Sequence, residues 1–323
     1  MSGWLGLAGA RARQLGLAAS LSCAACAPAR IGPPPSAPTV MRALDAMPGD
    51  LDLVVRLDLH RIRDTLGSAA MAALTEQAIR GLRGADQATD AMLIGALAET
   101  DTLWLGLRPA QEFSGSDSVF VMNGHFPKFD PHRVVSKPAF DKPIELGGAF
   151  RRYDRAAPAQ RSAPARIYTR GDDLIVSVSE AEIDSVERSL EQRRGSPPLE
   201  PAEKGALSAV ARPRILPASA LEASPSLQKL AARATHCELS ADLTSAGVDA
   251  TLGLKFEDPS TAERLAGALV EMRDALKAAP GRLAKLAARL EITSAAEFVT
   301  LRLAIGRDEL SEIVNCRGSA CIW

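Results

Sequence analysis

The chain of 323 residues is long enough for one large domain or two smaller ones, and 46% hydrophobic with 24% charged residues is typical of a globular protein. Its 38 Lys and Arg residues balance 39 Asp and Glu residues, so it lacks the basic excess of nucleic-acid-binding proteins. Aromatic residues make up only 4% of the chain, which argues against an extended platform for stacking bases or sugars. We therefore expect no nucleic-acid partner.

The beginning of the chain has the layout of a secretory signal. Met1–Arg13 carries two arginines and no acidic residue, and the apolar run Leu15–Leu21 follows it. That run is far shorter than the roughly 20 residues needed to cross a bilayer. We predict a signal segment over residues 1–27.

Two cysteines in this segment suggest a lipid anchor. The stretch Cys23-Ala24-Ala25-Cys26 resembles, at its last three positions, the box that ends a bacterial lipoprotein signal. It departs from that box at the first position, where leucine is usual. The resemblance implies lipid attachment at Cys26, with Cys23 as the alternative, and a membrane as partner through that lipid. Two other interpretations are plain cleavage after Ala29 and a redox Cys-x-x-Cys, which normally follows a strand that is missing here.

A proline-rich stretch separates this segment from the rest. Ile31–Pro38 cannot pack a core, so residues 28–40 are predicted to be an extended linker. A translation start at Met41 is the alternative, and it would leave a cytoplasmic protein without a signal.

Residues 41–195 are predicted to form the first half of an α+β body. Leu51–Leu59 alternates apolar and polar positions as a strand does, and Asp58 can cap a helix beginning near His60. The pattern then predicts helices over 68–82 and 88–99, strands over 102–107 and 118–122, and irregular chain over 127–166.

The end of this half has clear local signals. Arg166–Thr169 and Leu174–Val178 are predicted to form a hairpin across Gly171. Ser179 and Glu182 have capping-box spacing and predict a helix to about Arg193. The loop 195–198 ends that helix and marks the expected boundary between the halves.

Residues 196–323 are predicted to form the second half. Alternating strands over 237–243 and 248–256 predict a hairpin, and Asp258-Pro259 predicts the start of a helix. The apolar stripe of that helix comprises Ala262, Leu265, Ala266, Leu269, Met272 and Leu276. A second helix near 283–290, a strand over 299–305 and a short helix ending near residue 315 follow. The fold class is predicted as α+β, mainly antiparallel sheet with helices packed on one face, and two similar halves are conceivable.

One loop collects side chains that could perform chemistry. His125, Asp130 and His132 follow the strand over 118–122, and two imidazoles with a carboxylate could bind zinc or provide a base. Their spacing fits no established motif, and the nearby prolines favour a simple turn. The arginines between residues 151 and 170 could contact anionic headgroups, although a solvated loop explains them as well.

Three cysteines lie beyond the signal segment. Cys316 and Cys321 are close in sequence, and in an oxidising envelope we predict a disulfide between them. Cys237 lies on the inward face of a predicted strand, where we expect a free, buried thiol.

The complete layout resembles the uncharacterised secreted lipoproteins of Gram-negative bacteria, which combine a signal, a proline-rich spacer and an α+β body. It implies a protein of the cell envelope, on the periplasmic side or anchored to the outer membrane. The sequence contains no Gly-x-Ser-x-Gly, His-Glu-x-x-His or phosphate-binding glycine-rich motif. We predict a non-enzymatic protein that binds a protein partner or an apolar ligand, without catalytic, cofactor or metal residues. The alternative is a secreted hydrolase that uses His125, Asp130 and His132.

Overall fold

The computed structural model describes residues 42–67, 95–108, 118–132, 139–146, 150–156, 164–191, 198–212, 225–278 and 281–309. The chain divides into two compact units, which we call the N-terminal unit, ending at Glu200, and the C-terminal unit, beginning at Pro201. The division falls just beyond the loop 195–198. The predicted signal segment and linker, and most of the two helices predicted over 68–99, lie outside the described residues.

The N-terminal unit contains seven strands and two described α-helices. In chain order they are a 3-10 turn at Ala43–Ala46, β1 Leu53–Asp58, α1 Leu59–Leu66, β2 Thr100–Leu107, β3 Ser118–Gly124, β4 Ile144–Leu146, β5 Phe150–Asp154, β6 Arg166–Arg170, β7 Leu174–Val178, a 3-10 turn at Glu180–Glu182 and α2 Ile183–Leu190. The order across the antiparallel sheet is β1-β2-β3-β7-β6-β5-β4.

The middle strands of this sheet are buried on both faces. All five residues of β7 are buried, and so are the first five of β3. On one face, Trp104, Val121 and Val176 share a core with Val186 of α2. On the other face, Met122 and Ile175 are fully buried. Continuous apolar runs therefore replace simple alternation in these strands.

Several local predictions for this unit are confirmed. Asp58 caps α1, with its Oδ1 accepting a hydrogen bond of 2.9 Å from the N–H of Arg61. The β6–β7 hairpin turns at Gly171, whose φ of +53° is tolerated by glycine.

Two predictions for this unit are wrong. The stretch 127–166 includes β4 and β5 at the edge of the sheet, where β4 is short and mostly exposed and two adjacent arginines interrupt the apolar pattern of β5. The capping box is absent because both side chains have distant partners. Ser179 Oγ accepts from the N–H of Ser118, and the Glu182 carboxylate pairs with Arg108. The α-helix accordingly begins later than predicted, at Ile183, and ends at Leu190.

Within the described residues, the C-terminal unit has five strands and three helices with defined bounds. They are β8 Leu207–Ala211, α3 Pro225–Ala231, β9 His236–Thr244, β10 Gly247–Lys255, α4 Pro259–Lys277, α5 Arg282–Arg289, β11 Glu291–Ala295 and β12 Phe298–Gly306. The antiparallel order is β8-β9-β10-β12-β11. The β9–β10 hairpin and β12 are confirmed, whereas β8 and β11 were not predicted from the sequence. The α+β class with antiparallel sheet is confirmed in both units.

Helix α4 begins as its sequence predicts. Asp258 Oδ1 accepts a hydrogen bond of 2.7 Å from the N–H of Thr261, and Pro259 opens the helix. Ala262, Leu265, Ala266 and Leu269 of the predicted stripe are buried. The prediction that Met272 shares their environment is wrong, because the residue is 39% exposed. Burial along α4 therefore decreases toward its C-terminal end.

Candidate functional site

The structure gives each of the three loop residues a local partner. The Nδ1 atom of His125, on a side chain that is 77% exposed, lies 3.8 Å from the Asp172 carboxylate. Asp130 accepts a hydrogen bond of 3.0 Å from the N–H of His132, which forms a tight turn. The ring of His132 is 3.1 Å from the carbonyl oxygen of Phe140. Each of these three side chains therefore has a local partner that accounts for its position in the loop. Within the described ranges, no three His, Cys, Asp or Glu side chains form a group able to hold a metal.

The arginines between residues 151 and 170 lie on paired strands and face carboxylates or an aromatic ring. Arg151 pairs with Glu145 at 2.9 Å, and Arg155 stacks over Phe140 at 5.4 Å. The expectation of a solvated loop is wrong for these arginines, because β5 and β6 place each of them beside a partner. Arg161 lies outside the described residues.

A denser network joins β5, β6 and α2. Arg166 contacts Asp154 at 2.5 Å and Glu187 at 2.8 Å, and Arg152 contacts Asp154 at 3.0 Å. The Tyr168 hydroxyl donates to Glu187 at 3.0 Å, and burial raises the pKa of this phenol. The charges of these arginines are neutralised within the unit. Because Glu187 belongs to α2 and its partners belong to the sheet, the network stabilises the packing of α2 against the sheet.

The cysteine predictions have different outcomes. Cys237 is free and buried, as predicted, and burial together with the neighbouring Glu238 raises the pKa of its thiol. The proposed lipidation sites Cys23 and Cys26 and the predicted disulfide Cys316–Cys321 lie outside the described residues.

The most distinctive surface of the described chain is one face of the C-terminal sheet. Cross-strand register aligns the apolar side chains of β9, β10 and β12 in four rows of three. The first row, Cys237, Leu254 and Val299, is buried. The other three rows are only half-buried, and we call these nine residues the half-covered face: Leu239, Leu252, Leu301, Ala241, Ala250, Leu303, Leu243, Val248 and Ile305.

The position of the helices explains this gradient. The chain leaves β10 beside the buried row, and Phe256, which is buried, leads into α4. Helix α4 packs against β11 and β12, and α5 packs against α4 and β12. Apolar area that stays in contact with water costs free energy, about 25 cal/mol per Å², so this half-covered apolar face is the candidate binding surface.

Sequence analysis found the members of this face but missed its coverage. The alternation in β10 and β12 predicts that these side chains share one side of the sheet. A further signal was available, since the predicted stripe of α4 offers six apolar side chains against twelve apolar positions on three strands. That disparity indicates that one helix cannot cover the sheet.

Among the described helices, none combines the length and apolar character that a bilayer-crossing segment needs. Sequence comparison finds no matching protein family and no matching curated protein.

Comparison with solved structures finds a shared fold. Crystal form I of TP0453, a Treponema protein, is 8% identical with a TM-score of 0.52, covering 88% of this chain and 100% of that chain. Crystal form III of the same protein is 9% identical with a TM-score of 0.51, covering 84% and 98%. At this level of identity the similarity establishes the fold alone.

Proposed function

We propose that this chain is a non-enzymatic protein of the bacterial cell envelope that binds an apolar ligand on the half-covered face of its C-terminal sheet. The observation that carries the proposal is the burial of that face. Nine aliphatic side chains stay half-buried beside a first row that is fully buried. A ligand that covers them would remove apolar surface from water, which is the main driving force for such binding.

The chemistry of the face favours a flexible aliphatic ligand. Its side chains are those of leucine, alanine, valine and isoleucine, with no charge, hydrogen-bonding group or aromatic ring among them. Such a surface binds methylene groups through contact area, at about 0.8 kcal/mol for each CH₂ removed from water, before the costs of ordering the ligand. An aromatic or charged ligand would gain no specific contact here. A protein segment with aliphatic side chains is the competing occupant.

One observation supports a location in the envelope. The first 26 residues resemble a lipoprotein signal, with Cys26 as the lipidated residue and Cys23 as the alternative. An anchored protein with an aliphatic face would hold that face close to a source of acyl chains.

Ligand binding can be tested with a fluorescent fatty-acid analogue. We expect saturable binding that Leu252→Gln weakens by about tenfold or more, because a polar group would enter the second row of the face. Thr251→Gln is the matched control, since it lies on the opposite face of the same strand and should leave binding unchanged. Equal binding by both variants would contradict the proposal, and displacement of the probe only by an aliphatic peptide would favour a protein occupant.

The envelope location has a separate test. Expressed with its native start in a Gram-negative host, the protein should fractionate with membranes, and Cys26→Ser should release it. The matched variant Cys23→Ser should have no effect unless it carries the lipid. Recovery of a soluble cytoplasmic product with intact Met1, identified by mass spectrometry, would contradict this part of the proposal.

A further inference from the structure

Strand β11 is the last strand at one edge of the described part of the C-terminal sheet. Among the described strands it pairs only with β12 and stands last in the sheet order. Four of its five residues are exposed, and its register with β12 runs without a bulge. Proteins usually protect an edge strand with lysine, proline or a bulge, because its free backbone groups can pair with another strand. Glu291–Ala295 contains no lysine, proline or bulge, and its one charged residue, Glu291, lies at the end of the strand.

The turn that follows β11 indicates which backbone groups point outward. Ala295 and Phe298 flank a two-residue turn that contains Ala296 at φ +50°. In a two-residue turn, the two flanking residues form a hydrogen-bonded pair. Along an antiparallel ladder, hydrogen-bonded pairs alternate with non-hydrogen-bonded pairs. Glu291, Thr293 and Ala295 therefore bond to β12. The N–H and C=O groups of Ile292 and Ser294 point to the open edge.

We propose that β11 pairs antiparallel with β11 of a second copy of this chain, about a two-fold axis at Thr293. In this register Ile292 lies opposite Ser294 of the second copy, and the two resulting pairs exchange about four hydrogen bonds. Thr293 lies opposite Thr293 of the second copy, and Glu291 lies opposite Ala295 of the second copy. The strand is self-complementary because no like charges face each other, and Arg302 lies opposite Glu291 in β12.

Helix α4 adds an apolar contact at the same edge. It packs against β11, and Arg273 donates a hydrogen bond to the carbonyl oxygen of Leu290, the residue just before the strand. Met272, which precedes Arg273 in α4, is 39% exposed, whereas Ala262–Leu269 of the same helix contains the buried stripe. Strand pairing across the edge would bring the two α4 helices side by side. The flexible, exposed side chain of Met272 could then pack against Met272 of the second copy.

Sedimentation velocity of the full chain under reducing conditions tests the proposal. At concentrations on the order of 100 µM, where small interfaces associate, we expect a reversible dimer. Thr293→Glu places two carboxylates across the axis and should weaken the dimer by about tenfold or more. Thr300→Glu is the matched control, because Thr300 faces Thr293 from the interior strand β12 and should leave association unchanged. A wild-type monomer throughout, or equal behaviour of both variants, would overturn the proposal.

Cross-linking tests the register without relying on affinity. Facing residues of a non-hydrogen-bonded antiparallel pair are close enough for a disulfide, so Thr293→Cys should cross-link two chains under a mild oxidant. Thr300→Cys in the same background should form no more covalent dimer than the unmodified chain. Equal cross-linking of the two variants would exclude this register, and unfolding curves of both should match that of the wild type.

Discussion

The sheets of the two units share a strand order but differ in how they are covered. Each begins with three consecutive strands, β1-β2-β3 or β8-β9-β10, and each continues with the last strand of its unit beside the third, namely β7 or β12. In the N-terminal unit, the central strands are buried on both faces. In the C-terminal unit, one face is polar and three rows of the other are half-buried. One topology thus serves as a closed core in one case and as an open surface in the other.

This difference separates two demands on the sequence. The N-terminal sheet is constrained by stability, and the half-covered face is constrained by the proposed binding. The buried strands of the N-terminal unit must fill space on both sides, so volume changes there should be costly. The half-covered face must stay apolar in spite of its contact with water. Four predictions, ordered from the largest expected effect to the smallest, test this contrast.

The largest effect should come from Leu174, which is fully buried in the core of the N-terminal unit. Leu174→Ala should destabilise this unit by about 2–5 kcal/mol, the loss of transfer free energy plus the cavity. Leu252→Ala, on the half-covered face, should cost less than about 2 kcal/mol. Urea unfolding, followed by tryptophan fluorescence and far-UV circular dichroism for both variants, measures the losses. Equal losses would remove the distinction between a closed core and an open face.

A somewhat smaller effect should follow from changing Glu182, which is 1% exposed and pairs with Arg108 at 2.7 Å. The hydrogen bond to Glu182 raises the pKa of Arg108, so the guanidinium stays charged across the working pH range. Glu182→Gln should lower the free energy of unfolding by about 1–3 kcal/mol, because a buried amide oxygen accepts a weaker hydrogen bond from the Arg108 guanidinium than the carboxylate does. Asp249→Asn breaks the exposed Asp249–Arg302 pair of the C-terminal sheet and should leave the unfolding midpoint nearly unchanged. A larger effect at Asp249 than at Glu182 would reverse the comparison.

The third prediction concerns the pH dependence of α4. Hydrogen bonds from the hydroxyl of Ser260 and the N–H of Thr261 hold the pKa of Asp258 at about 2 in the folded protein. Its pKa in the unfolded chain is about 3.9, so the ionised cap stabilises the fold above that pH and loses its effect as the pH falls toward 2. Asp258→Ala should lower the midpoint at neutral pH. Asp258→Asn should retain the cap and lose less stability than the wild type between pH 4 and pH 2. The same acid response in the wild type and in Asp258→Asn would contradict this role.

The smallest effect is on chemical reactivity and not on stability. Cys237 lies in the buried first row, and its raised pKa leaves little thiolate at neutral pH, so alkylation should be slow until the protein unfolds. A cysteine introduced by Ala241→Cys, in the third row of the same strand, should react much faster. Peptide mapping by mass spectrometry separates the two sites. Equal rates at the two positions would show that the face is covered throughout.

The parts of the fold that were predicted depend on neighbours in sequence. The caps at Asp58 and Asp258 and the β9–β10 hairpin need only a few adjacent residues, and all three are confirmed. Strand β11 was missed because Ile292 is its only large apolar residue, so the pattern has no period to detect. The capping box at Ser179 failed for the opposite reason, since Arg108 and Ser118 compete for its side chains from far along the chain.

The candidate site divides in the same way. Alternation along β10 and β12 predicts which side chains share a face. The path of α4 over the sheet, which leaves three of the four rows half-buried, depends on tertiary packing that a single sequence does not encode in a local pattern. The loop with His125 shows the converse, because residue types suited to chemistry have ordinary structural partners there, in line with the simple turn that the nearby prolines favour.

The pairing of β3 with β7 has a consequence for how the chain folds. The chain between these two strands contains β4, β5 and β6, and in the same way the chain between β10 and β12 contains α4, α5 and β11. The β6–β7, β9–β10 and β11–β12 pairs, by contrast, are hairpins. Closing a long loop costs entropy before the contact rewards it, so contacts distant in sequence slow folding. In a refolding reaction followed by hydrogen exchange, we expect the hairpins of both units to gain their hydrogen bonds before the β3–β7 and β10–β12 pairs. One edge of the apolar strand β3 would meanwhile remain unpaired, which makes it a site of aggregation during refolding.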